Sequence, residues 1–147
     1  MQISLRDVAG QTLRVGVRPG RKSWPPLLLF NGIGASIELI EPFLAAFDGP
    51  EVVVFDVPGV GGSPAPRLPY RPSTLSLLSA RLLDQLGHER VDVLGVSWGG
   101  APAQQFAFQQ AKRCRREGSV SMRLDRGSCA RRRPYGAEVR RPRRAVP

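Results

Sequence analysis

Ser97 stands in Gly95-Val96-Ser97-Trp98-Gly99-Gly100, a serine bracketed by glycines whose hydroxyl could attack an acyl carbon. Val91-Asp92-Val93-Leu94 before it reads as a short buried strand, and Ala101 to Ala111 after it as a helix. The serine therefore falls on a tight strand-to-helix turn, where a strained backbone lifts the hydroxyl above a sheet. The positions two before and two after it must pass close to neighbouring backbone, and Gly95 and Gly99 leave room for that. The helix that follows aims its positive N-terminal end at the place where a developing oxyanion would sit.

A serine nucleophile needs a base in reach, normally a histidine oriented by a carboxylate. No histidine follows Ser97, and the only one in the chain is His88. It precedes the strand that carries Ser97, so one strand length of about 3.3 Å per residue puts it roughly 20 Å away. His88 is expected to be a surface loop residue and not the base.

Two glycine loops are the other candidates. Asn31-Gly32-Ile33-Gly34 follows the apolar run Leu27-Leu28-Leu29-Phe30, and a loop at the end of an inner strand can offer a backbone N–H to an oxyanion. Ile33 is the candidate donor there, and Trp98, directly after the nucleophile, is the second. Gly59-Val60-Gly61-Gly62 invites a phosphate-cradle reading, but Pro64 stands where a dinucleotide fingerprint needs its third glycine. No Walker-type Gly-Lys-Ser/Thr occurs either, so this loop is read as structural.

The elements that position these residues follow from patterning. Ile3 to Val8 and Thr12 to Val17 alternate as an antiparallel pair with Gly10 in the turn. Leu27 to Phe30 and Val52 to Phe55 are continuously apolar, as strands covered on both faces are. Ser36 to Phe47 reads as a helix with Ile40, Phe43, Leu44 and Phe47 on one face and Pro42 opening its regular part. Ser73 is read as the cap of a helix to about Leu86, with Leu75, Leu78, Leu82 and Leu86 inward and Gly87 ending it. Strand–helix alternation from residue 26 onward predicts a parallel α/β architecture.

At 147 residues, with 41% hydrophobic content, the chain allows one domain of ordinary size. No apolar run approaches the roughly 18 residues of a membrane span, and no signal-peptide core opens the chain, so a cytoplasmic protein is expected. Cys114 and Cys129 suggest neither a disulfide framework nor a metal site. The net charge of +10 is localised: residues 1–111 carry nine basic and nine acidic side chains, residues 112–147 thirteen basic and three acidic. Regular patterning stops near Arg116, and the Arg-rich remainder is expected to be disordered. The division is thus a partial domain over 1–116 and a basic tail over 117–147. Nucleic acid or another polyanion bound through that tail is the alternative, non-catalytic reading.

Residues 12 to about 116 resemble the N-terminal half of an α/β-hydrolase, of the intracellular poly(3-hydroxyalkanoate) depolymerase type. The resemblance rests on Leu28-Leu-Phe-Asn31-Gly-Ile-Gly34, Phe55-Asp56-Val-Pro-Gly-Val-Gly-Gly-Ser63, Gly95-Val-Ser97-Trp-Gly-Gly100 and Ala103-Gln104-Gln105-Phe106-Ala107. It implies hydrolysis of ester bonds in a storage polyester at the granule surface. It also implies Ser97 as nucleophile, the N–H groups of Ile33 and Trp98 as oxyanion donors, and no metal or organic cofactor.

In that fold the chain order is Ser, then Asp or Glu, then His. Asp125 is the only aspartate after Ser97, it lies in the tail, and it is not assigned as the triad acid. The abrupt change at residue 117 is the pattern expected of a shifted reading frame. Without the next strand, Val91–Val96 would be an open hydrophobic edge, and a marginally stable, inactive chain is the expectation.

Overall fold

The computed structural model describes residues 1–66 and 69–120. In chain order these form β1 (Gln2–Val8), β2 (Gln11–Arg18), β3 (Leu27–Phe30), α1 (Ile37–Ala46), β4 (Val52–Phe55) and α2 (Pro72–Leu86). Then come β5 (Val91–Val96), a single 3₁₀ turn (Ser97–Gly99), α3 (Gly100–Gln109) and β6 (Cys114–Val120). The sheet has six strands in the order β1-β2-β4-β3-β5-β6. β1 and β2 run antiparallel to their neighbours, while β4, β3, β5 and β6 are parallel, as the alternation of strands and helices predicts.

Period-two geometry divides the apolar strands between two cores. Leu28, Phe30, Val53 and Phe55 face one cluster with Leu75, Leu82 and Leu83 of α2 and Ala103 and Phe106 of α3. Leu27, Leu29, Val52 and Val54 face the other, covered by Ile37 and Leu44 of α1. Every side chain of β3 and β4 is buried, each worth about 1.5–3 kcal/mol of apolar transfer. Phe30 meets Phe55 edge to face with ring centroids 5.8 Å apart.

Four local expectations need correction. α1 starts at Ile37 and carries Pro42 in its interior, so the proline does not open it. Phe43 is exposed and stacks on Phe47 at 5.4 Å instead of turning inward. α2 is capped two residues earlier than predicted: Arg71 is the cap and Pro72 takes the first turn, where a missing N–H costs nothing. Gly87 does end α2, with φ +76, and the His88 N–H donates to the Leu83 carbonyl at 2.9 Å.

The fourth correction concerns the sheet edge. β6 lies along β5 from Val91 to Val96, so β5 is not an open edge, and the expected boundary at residue 116 falls inside a strand. Apolar patterning could not show this. A parallel ladder is built from backbone groups, and Arg115, Arg116 and Glu117 lie exposed on it, as charged residues often do on edge strands. Residues 117–120, expected to open the disordered tail, are thus strand, whereas the tail from residue 121, with the nucleic-acid reading, Asp125 and Cys129, lies outside the described residues. Among the described residues no helix is long and apolar enough to cross a membrane.

Candidate active site

β3 and β5 are neighbours in the parallel part of the sheet, and their chains leave in opposite directions. From β3 the chain enters α1 on one face and returns to β4; from β5 it enters α3 on the other face and reaches β6. Such a divergence opens a crevice at the carboxyl ends of the two strands. The loop 31–36 and the turn at Ser97 border it.

Ser97 has φ +54, a left-handed conformation that a non-glycine residue adopts only when its surroundings force it. It is exposed, at the start of the 3₁₀ turn that leads into α3. Its glycine neighbours are required sterically. A Cβ on Gly95 would lie 2.4 Å from the Gly99 carbonyl oxygen and 2.5 Å from the Gly100 Cα. Gly99 in turn packs against the carbonyl oxygens of Phe30 and Asn31. The N–H of Gly100 closes the turn onto the Ser97 and Trp98 carbonyls. Trp98 is partly buried against the larger core, which anchors the residue beside the nucleophile.

The structure brings the Asn31–Gly34 loop to this turn. The Cβ direction of Gly32 points to within 3.7 Å of the Val96 carbonyl oxygen and 3.9 Å of the Ser97 Cβ. Gly34 is left-handed at φ +66, and Ile33 between them is 77% exposed. Ser97 therefore meets Gly32, in the loop that carries Ile33, on one rim of the crevice.

His88 is not in it. It sits at the opposite end of β5, where its Nε2 lies 2.6 Å from the Glu51 carboxylate. The His88 carbonyl also accepts from Arg113, which donates as well to Ala80, Glu89 and the Asp84 carboxylate. An open cavity of about 400 Å³ lies there, lined by Asp84, Gly87, His88, Glu89 and Arg113. It is separated from Ser97 by the length of the strand. Among the described residues no group of three or more His, Cys, Asp or Glu could hold a metal ion.

The glycine loop after β4 is organised around its own carboxylate. Gly62 N–H donates to Asp56 Oδ2 at 2.9 Å, and Ser63 Oγ donates to the Asp56 carbonyl at 2.6 Å. A Cβ on Gly61 would lie 2.2 Å from that same Oδ2. The loop's donors are turned toward an anion the protein already carries. Asp56 is 1% exposed, and Arg14 on β2 supplies the compensating charge at 3.1 Å. Arg14 also holds the exposed Glu38, whose carboxyl is pulled down to about 2 by that hydrogen bond.

Sequence reading missed Asp56 and Asn31 as individual residues. Both were visible as the single polar group directly after an all-apolar strand. A buried carboxylate or amide at a strand's carboxyl end must find partners in the loops that leave it.

Residues 25–121 match the model of the alpha/beta hydrolase fold family. The chain belongs to that family, which is also the fold its sequence motifs resemble. Over 111 residues it is 54% identical to a poly(3-hydroxyalkanoate) depolymerase of Ectopseudomonas oleovorans, covering 75% of this chain and 39% of that protein. Among solved structures, a hydrolase from Pseudomonas aeruginosa superposes with a TM-score of 0.70 at 30% identity, over 81% of this chain and 44% of that one. The enol-lactonase from Burkholderia xenovorans gives 0.68 at 28% identity, over 76% and 44%. The chain thus spans about two fifths of the length of these relatives.

Proposed function

We propose that this chain carries the nucleophile side of a carboxylic-ester hydrolase site. Ser97 attacks the acyl carbon, and the N–H groups of Ile33 and Trp98 receive the oxyanion. The observation that carries this reading is Ser97 itself: an exposed serine held at φ +54 at the carboxyl end of an inner strand. A structural serine has no reason to hold a strained conformation, whereas a nucleophile gains projection above the sheet from it. The substrate class we propose is a polyester of 3-hydroxy fatty acids, or a related acyl ester, because the depolymerase from Ectopseudomonas oleovorans is 54% identical over the shared region. The place of action this implies is a storage granule in the cytoplasm, and no metal or organic cofactor is required by the chemistry.

Within these 147 residues no histidine reaches Ser97. Unaided turnover by these 147 residues alone should therefore be absent, and an external base should restore part of it. The experiment compares the chain with Ser97→Ala on a short-chain nitrophenyl ester, with and without added imidazole. The two proteins hydrolyse equally without imidazole, and only the parent gains a protein-dependent rate when imidazole is present. A Ser97-dependent rate without imidazole would show a base that the chain already has. No Ser97-dependent rate under either condition would overturn Ser97 as nucleophile.

A further inference from the structure

The peptide group joining Ser36 to Ile37 is held from both sides by buried side chains. Its carbonyl accepts a hydrogen bond from Asn31 Nδ2 at 2.9 Å. Its N–H donates to Asp56 Oδ1 at 2.8 Å. Asn31 ends β3 at 8% exposure, and Asp56 ends β4 at 1% exposure. Each of these side chains also fixes a second backbone group, Asn31 Oδ1 accepting from Gly32 N–H and Asp56 Oδ2 from Gly62 N–H, both at 2.9 Å.

The consequence concerns the short loop between Asn31 and that peptide. Gly32, Ile33 and Gly34 lie inside it, and this is the stretch that flanks Ser97. Two glycines in three residues leave the backbone many conformations, and the exposed Ile33 side chain adds no anchor. An internal bond, from Ala35 N–H to the Gly32 carbonyl at 3.1 Å, closes a turn but does not place it on the sheet. Placement comes from the two ends. Asn31 fixes the first donor of the loop and the last acceptor, and Asp56 fixes the donor that follows.

We infer that Asn31 and Asp56 are positioning residues: together they clamp the Ser36–Ile37 peptide and so fix the Ile33 backbone beside Ser97. The catalytic consequence rests on the ester-hydrolase reading above, while the clamp itself does not. An oxyanion donor acts only if it is in place before charge develops, because movement during the reaction costs the stabilisation it supplies. Neither side chain touches a reacting atom; both act through the loop.

Two measurements on the full chain decide this. The first is hydrogen exchange in Asn31→Ala and Asn31→Asp. Asn31→Ala loses both bonds, and exchange over residues 32–37 should rise by about tenfold or more while the β3–β5 ladder keeps its protection. Asn31→Asp keeps the acceptor for Gly32 N–H and loses the donor to Ser36, so its effect should be intermediate. Unchanged protection of 32–37 in both variants overturns the clamp, and so does a loss spread evenly over the sheet. The second is the imidazole-supported, Ser97-dependent rate. Asn31→Ala should lower the saturating rate about 10²-fold with little change in KM, the signature of a displaced oxyanion donor. Asn31→Asp should recover part of it. A parent-like rate in Asn31→Ala overturns the positioning role, whereas no Ser97-dependent rate in the parent overturns the hydrolase reading and leaves the exchange result to judge the clamp.

Discussion

Gly99 is pressed against the end of β3: a Cβ on it would lie 2.2 Å from the Phe30 carbonyl oxygen. The obstacle is backbone, so no side chain can rotate away. Gly99→Ala must push the turn off β3 and carry Ser97 with it. The expected cost is about 3 kcal/mol, at the upper end for forced overpacking. Gly32 is the contrast on the same rim, since an added Cβ meets nothing nearer than 3.7 Å. Gly32→Ala should cost less than about 1 kcal/mol. Urea denaturation of the two variants measures the difference, and equal costs would mean that the turn is not seated on β3.

How much of this was legible in the sequence depends on which physical signal each residue gave. Leu27–Phe30 and Val52–Phe55 announced buried strands because eight apolar residues on two cores have no other home. Gly95 and Gly99 announced the turn because close backbone approach admits no other residue type. Asp56 gave a weaker signal. Its partners, Arg14, Ile37 and Gly62, lie up to 42 positions away, and long-range pairing leaves no periodic trace. β6 gave none, since its ladder to β5 uses backbone groups that every sequence has. Phe43 misled, because helical spacing alone cannot tell a face that meets the sheet from one that meets a neighbouring ring.

Glu38 makes a prediction about acid. Its carboxyl is lowered from the ordinary 4.5 to about 2, chiefly by the hydrogen bond from Arg14. A group depressed on folding stabilises the folded state above its unfolded value and loses that contribution as pH falls toward its folded value. The Arg14–Glu38 pair should therefore contribute fully above about pH 4.5 and fade between there and pH 2. Thermal midpoints of the parent chain and Glu38→Gln, taken from pH 6 downward, should differ by a constant amount and then converge. Glu38 is solvent-exposed, so added salt should shrink the difference at every pH. Curves that diverge on acidification would contradict the assignment.

Cys114 should be a slow thiol. Burial raises it above the ordinary 9.0, and the nearby charges of Glu117 and Asp92 push the same way. The thiolate is the reactive form, so its fraction at neutral pH is small. In a Cys129→Ser background, the pH at which alkylation reaches half its maximal rate should lie above that of free cysteine. Glu117→Gln should bring it back toward the free value. A half-maximal pH at or below that of free cysteine would mean that Cys114 is not packed at the foot of β6.

Asp92 and Arg115 test whether β6 is docked on β5. Asp92, the second residue of β5, is 7% exposed, and Arg115 meets its two oxygens at 3.1 and 3.3 Å. A carboxylate that buried cannot be left without a cation at no cost. Arg115→Ala should therefore destabilise by about 1–2 kcal/mol, the low end for a broken buried pair because the arginine is itself partly exposed. Much of that is the penalty of the stranded carboxylate, so Asp92→Asn in the same chain should recover part of it. A double-mutant cycle by urea denaturation isolates the coupling. The cycle also separates the two views of the sheet edge. If β6 pairs with β5, the coupling is present and the parent chain stays monomeric by light scattering. If β5 were the open edge that apolar patterning predicts, Arg115 would be uncoupled from Asp92, and association through the bare strand would grow with concentration.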